Sequence, residues 1–114
     1  MFNGYATYHG AVFNDSALFE ATVFEESVDF AESVFASMSF RQTTFGGPTS
    51  FWLATFKGSA EFIDIAFPGP EPTSRVAMLN VLFEKPSQVR LETDISWFHF
   101  LGTDIEKIDF RNAK

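Results

Sequence analysis

The sequence predicts an all-β chain that turns a corner every five or six residues and points one large side chain inward from each short straight side. Three observations lead there. Aromatic residues stand at Phe2, Tyr8, Phe13, Phe19, Phe24, Phe30, Phe35, Phe40, Phe45, Phe51, Phe56, Phe62 and Phe67, and every step is five or six residues. Two positions before most of them stands a second, usually small residue: Ala11, Ala17, Thr22, Val28, Ser33, Met38, Thr43, Thr49, Ala54, Ala60 and Ile65. Phe supplies 16 of the 114 residues, far more than an ordinary core needs, so one residue type fills one role repeatedly.

Neither regular element buries this series by itself. In a straight strand a step of five changes face and a step of six does not, which would scatter the rings over both sides. In a helix, at about 100° per residue, either step lands near the opposite face. An 11-residue helical period fails at Phe35, Phe40 and Phe45, which run in fives. The filler also opposes a helix, being rich in Ser, Thr, Val and Phe and interrupted by "GGPTS". A cornered chain with a large residue at the middle of each side remains.

This pattern of a small residue, any residue, Phe and then two mostly polar residues resembles the pentapeptide-repeat family, in the Phe-rich variety where five- and six-residue steps alternate, as in "ALFEATVFEESVDFAESVFASMSF". The resemblance implies a right-handed quadrilateral β-helix, a β-solenoid with four sides per coil and an internal Phe ladder. That register stacks Phe13 with Phe35 and Phe56, Phe19 with Phe40 and Phe62, Phe24 with Phe45 and Phe67, and Tyr8 with Phe30 and Phe51. Adjacent coils are then about 4.8 Å apart, which suits offset rings. It also sets Glu20 over Arg41 as a cross-coil pair.

The chain is expected to be a single domain, with regular coils over 1–67, a turn-rich loop "PGPEPTSR" within 68–76 and closing coils over 77–114. The last segment resembles the closing coils of such proteins, with Ile95, Phe100, Ile105 and Phe110 in fives; the eight residues from Phe83 to Leu91 leave the register through "EKPSQ" open.

Composition excludes several function classes. Without cysteine there is no disulfide, thiolate metal site or cysteine nucleophile. A net charge of -7 opposes direct nucleic-acid binding, which is driven by Lys and Arg. The charge is uneven: residues 1–40 hold Asp15, Glu20, Glu25, Glu26, Asp29 and Glu32 and no Lys or Arg. No apolar run approaches the roughly 18 residues of a membrane span, and "MFNGYATYHG" lacks the features of a secretory signal, so the default expectation is cytoplasmic.

Candidate chemistry is sparse. His9 and His99 have no Asp or Glu repeating around them in metal-ligand spacing and read as surface or corner residues. Asp94 and Asp104 each precede an Ile of the closing coils and read as solvated or turn-bonding. With no phosphate loop and no nucleophile elbow, no catalytic residue, metal site or cofactor is expected, and the chain is not read as an enzyme. Trp52 and Trp97 are candidates for an exposed patch; Trp52 follows inward Phe51, points outward, and with Glu20, Glu25 and Glu26 forms the candidate interaction surface.

The expected function is therefore a structural or protein-interaction module whose partner is open. The resemblance implies two alternatives: a DNA mimic binding DNA gyrase, of the quinolone-protection type, or the repeat segment of a longer, membrane-associated protein. Because Phe2 already belongs to the repeat, the first coil is expected to be uncovered and to be covered either by a second copy or by a missing or separate partner.

Overall fold

The structure, a computed structural model, describes residues 6–68 and 75–110; Phe2 and most of the expected loop lie outside the described residues. Its strands are β1 (Ala6–Thr7), β2 (Val12–Glu20), β3 (Val23–Phe24), β4 (Val28–Asp29), β5 (Val34–Arg41), β6 (Thr44–Phe45) and β7 (Thr49–Ser50). They continue with β8 (Thr55–Phe56), β9 (Ala60–Ile63), β10 (Val76–Leu79), β11 (Leu82–Phe83), β12 (Val89–Glu92) and β13 (Phe98–Leu101). Every pairing between them is parallel, and no α-helix occurs among the described residues.

The pairings trace a coil that returns to each side after one turn. One side carries β1, β4, β7, β10 and β13 in order. A second joins β11, β8, β5, β9 and β12, with β2 on β5, and so covers two sides around one corner; β3 and β6 form the fourth. A coil takes 22 residues from Phe13 to Phe35 and 21 from Phe35 to Phe56. The odd residue is absorbed by a bulge in β2, where the register with β5 shifts between Phe13 and Ser16. From Tyr8 through Phe100 the first side is revisited over about four turns, an all-β solenoid.

The corners explain why the steps alternate. Gly10, Ala21, Glu32, Gln42, Leu53, Asp64, Asn80 and Gly102 all have positive φ. Each lies two residues after an inward residue of the first or third side. The left-handed conformation turns its N–H along the solenoid axis onto the next coil: Glu32 N–H donates to the Trp52 carbonyl at 2.7 Å and Leu53 N–H to that of Leu79 at 3.0 Å. The conformation costs a non-glycine residue about 1–2 kcal/mol, offset by the satisfied amide and by the packing that the corner allows. At other corners the coils approach so closely that a Cβ does not fit: one built on Gly58 would lie 2.4 Å from the Ala36 carbonyl oxygen.

The rings stack as the spacing of the sequence implies. Tyr8, Phe30 and Phe51 have centroids 5.0 Å apart at each step, and Phe35 lies 5.0 Å from Phe13 and 4.9 Å from Phe56. Phe40 lies 5.1 Å from Phe19 and 5.2 Å from Phe62, while the Phe24, Phe45 and Phe67 column is looser, at 5.8 and 6.3 Å. Rings from opposite sides meet edge to face across the core, as Phe30 and Phe40 do at 5.7 Å. Burial is complete for Phe30, Phe35, Phe40, Phe45, Phe51, Phe56 and Phe62; Phe24 is 1% exposed, and Phe13, Phe19 and Phe67 are half-buried.

The small inward positions tolerate polar residues because their hydroxyls cap carbonyls of the preceding coil. Ser33 Oγ donates to the Tyr8 carbonyl, Thr43 Oγ1 to that of Phe19 and Thr103 Oγ1 to that of Met78, each at 2.7 Å. An unpaired hydroxyl there would cost about 1–3 kcal/mol. No buried side-chain nitrogen or oxygen among the described residues lacks a partner.

After Phe67 the structure settles the register that the sequence leaves open. Phe83 stacks on Phe56 at 5.2 Å, Leu91 pairs with Phe62, and the extra residues between them form a 3-10 turn at Pro86–Gln88. β10 begins at Val76, which is fully buried. Three expectations are corrected here. The ring over Phe67 is Trp97, stacked at 4.8 Å, whereas Ile95 is only partly buried, because the 3-10 turn Ile95–Trp97 swings the indole inward. Trp97 is therefore buried, with the Arg75 guanidinium 5.2 Å from its ring, and forms no exposed patch with Trp52. Ile105 is 36% exposed, and Ile108 is the residue buried beside it.

Candidate functional site

The outward residues of the first side form two rows along the axis. One is Asp29, Ser50, Ala77 and His99, from successive strands; the other includes Leu79 and Leu101 and passes through the position of Trp52. The small side chains of Ser50 and Ala77 in the first row, beside Trp52 and Leu79 in the second, leave a trough. It is a groove of about 470 Å³ lined by His9, Asp29, Pro48, Ser50, Trp52, Ala77 and Leu79 among others. Trp52 is 43% exposed there, as its place directly after inward Phe51 requires, and its backbone N–H donates to Ser50 Oγ at 3.3 Å. A large apolar ring left in water on a rigid sheet is the feature of this surface that folding alone does not explain.

One end of the groove is a charged cluster that the sequence does not advertise. His9 follows Tyr8, and Tyr8 stacks on Phe30, so His9 is carried to the next coil beside Asp29 and Glu32. Its Nε2 is 2.7 Å from Glu32 Oε2 and its Nδ1 3.4 Å from Asp29 Oδ2. Asp29 is held in turn by the Ala31 N–H, which donates to Oδ1 at 2.8 Å. The hydrogen bond to Glu32, then that to Asp29, raise the His9 pKa above its usual value against an opposing desolvation. The two carboxylates engage opposite ring nitrogens and do not converge on one point; no group able to hold a metal ion occurs among the described residues.

The other expected surface residues lie elsewhere. Glu20 ends β2, and Glu25 and Glu26 are exposed at the corner beneath Gly46 and Gly47; none of the three lines the groove. Glu20 stands opposite Arg41 in the strand register, but the expected ion pair is replaced: Arg41 Nη2 binds Glu61 Oε1 at 2.9 Å. Arg90 also binds Glu61, at 3.2 Å, as well as Glu92. Partial burial pushes the Glu61 carboxyl up, but the hydrogen bond and charge of Arg41, with help from Ser39 and Arg90, leave its pKa below normal. Glu61 thus draws Arg41 forward by being better placed and already shared. Asp94 Oδ1 accepts from the Ser96 N–H and hydroxyl, and Asp104 Oδ1 from the Glu106 N–H, so both hold turns. No helix among the described residues is long and apolar enough to cross a membrane.

Comparison with known proteins adds one match. The family model for pentapeptide repeats, nine copies in length, matches residues 19–65. Searches of curated proteins and of solved structures return no match. The matched span covers the ring columns from Phe19 to Phe62 and includes Asp29 and Trp52 of the groove and Glu32 beside it. Residues 19–65 thus match the pentapeptide-repeat family, and the described residues form a parallel β-solenoid of about four turns, consistent with the β-helix of such repeats.

Proposed function

We propose that this solenoid is a non-catalytic protein-interaction module that presents the grooved first side to a protein partner. The observation that carries the reading is Trp52, large, outward and half in solvent on a face that the ring columns hold rigid. Flat, rigid faces bind without an ordering penalty, and aromatic anchors supply most of the affinity at such sites. The test compares two folded variants, Trp52→Ser on this side and Leu18→Ser on another, Leu18 being 60% exposed. Proteins captured by the wild type and by Leu18→Ser but lost with Trp52→Ser support the reading. Capture that ignores Trp52 overturns it.

Self-association is a second reading, supported by β2, a nine-residue strand paired only with β5 among the described residues, and by half-buried Tyr8, Phe13 and Phe19 beside it. Edges of this kind invite a second chain. Light scattering across a concentration series, with a dimer abolished by a lysine at Val12, tests it. The DNA-mimic alternative has less support. Glu20, Glu25 and Glu26 gather around one coil rather than in a stripe, and Arg41 and Arg90 stand on the sides above.

A further inference from the structure

Resting on the reading of the first side as a docking face, we infer that the groove takes a basic peptide segment, with an arginine side chain between Asp29 and Glu32 in the place His9 now fills and an apolar neighbour on Trp52. His9 is an internal stand-in for the partner's cation.

Two features converge on that occupant. The groove is apolar along Trp52, Ala77 and Leu79, carries a carboxylate at one end and has no Lys or Arg among the described residues that line it. Complementarity therefore asks for a segment that is apolar in the middle and cationic at one end. The cationic end already has a template. Imidazolium is a planar cation whose two N–H groups point to different acceptors, and here they reach Asp29 and Glu32, which the coil repeat brings together from positions 20 and 23 residues along the chain. Guanidinium is the side-chain cation with the same planar, forked donor arrangement, and it carries more donors and stays charged at any physiological pH.

His9 is suited to give way. Its side chain is 50% exposed, and its backbone N–H donates to Thr7 Oγ1 at 3.3 Å. The groups that face it are Asp29 from β4 and Glu32 from the following corner, with the uncharged Ser50 and Trp52 from the next coil. Once the imidazole is neutral it donates to one carboxylate at most, so a cation that bridges both is the better partner for the pair.

The experiment titrates the full chain with a capped Val-Arg-Leu tripeptide amide and with the same peptide carrying citrulline, following the Trp52 indole N–H signal by NMR, assigned with Trp52→Phe. The arginine peptide is expected to shift that signal and the citrulline peptide to bind about tenfold or more weakly, as loss of a charge-assisted hydrogen bond implies. Glu32→Gln should weaken binding by about the same factor, whereas His9→Ala should tighten it by a few fold. Affinity should rise as the pH passes above the His9 titration. Equal binding of the two peptides, or His9→Ala weakening binding as Glu32→Gln does, overturns the inference. So does the absence of any shift at millimolar peptide. The docking reading itself stands or falls separately, on whether capture depends on Trp52.

Discussion

Truncating Phe40 to alanine tests what the stacked columns contribute. The ring is fully buried, 5.1 Å from Phe19 below and 5.2 Å from Phe62 above, and edge-on to Phe30, Phe45 and Phe51 at 5.7, 5.4 and 6.0 Å. Removing such a ring from a site that cannot collapse costs about 3–5 kcal/mol, because neighbouring coils are fixed by their own strand pairing. For a domain of this size about 4 kcal/mol lowers Tm by roughly 15–30 °C. Phe40→Leu keeps most of the volume and loses mainly ring–ring contacts, so about 1–1.5 kcal/mol is expected. Phe19→Ala removes a half-buried ring of the same column and should cost clearly less than Phe40→Ala. Thermal and urea unfolding followed by far-UV circular dichroism ranks the three. If Phe40→Ala proves no more costly than Phe19→Ala, burial depth along the column does not set the energy and the packing argument fails. Phe40→Asp, which adds a buried charge, should unfold its coil outright.

Other expectations follow from the corners and charges. Gly58→Ala should destabilise by about 1–3 kcal/mol, since its Cβ meets the Ala36 carbonyl at 2.4 Å; an unchanged urea midpoint would show that the corner can shift. Leu53→Asn should raise stability by about 0.5–1 kcal/mol, because φ of 58° suits Asn better than Leu and the side chain is 42% exposed; a loss of more than that would mean Leu53 packs as well as turns. His9, with its folded pKa raised, contributes stability that is present below its unfolded value of about 6.5 and lost as pH rises through the raised one, so Tm should dip slightly across that window and the dip should vanish in His9→Asn. Glu61 behaves oppositely: its folded pKa is depressed, so its contribution is present above the ordinary carboxyl range and lost on acidification through the lower value, a loss that Glu61→Gln should remove.

The inward half of this molecule was legible because it is periodic. A ring every five or six residues admits few shapes, and pairs such as Phe35 with Phe56 follow from counting. The outward half is not periodic, and its contacts depend on the coil length being known first. Once 22 residues per coil is applied to Tyr8, His9 falls opposite Ala31, flanked by Asp29 and Glu32, so the cluster was present in the numbering without being a linear motif. Trp52 was legible as outward from its neighbour Phe51, yet the trough beside it needs Ala77 and Leu79, which arrive only after the irregular coil. Trp97 was misread for a local reason: the Asp94 cap turns Ile95–Trp97 into a 3-10 segment, and the rule of fives lapses for one side. Arg41 has carboxylates on both adjacent coils; the register sets Glu20 directly opposite it and Glu61 opposite Ser39, and the diagonal reach of the side chain to Glu61 is not carried by the register.

The alignment of β7 with β10 carries the central claim, because it continues the columns past the irregular coil and assembles the grooved face. The chain has no cysteine, so paired cysteines report it directly. Ser50 and Ala77 are register partners on the outward face, and Ser50→Cys with Ala77→Cys should form an intramolecular disulfide under mild oxidation. Ser50→Cys with Met78→Cys should not, since Met78 is fully buried in the Phe51 column. Cross-linking of the second pair in preference to the first would place β10 one residue out of register, and both the columns and the groove would be wrong.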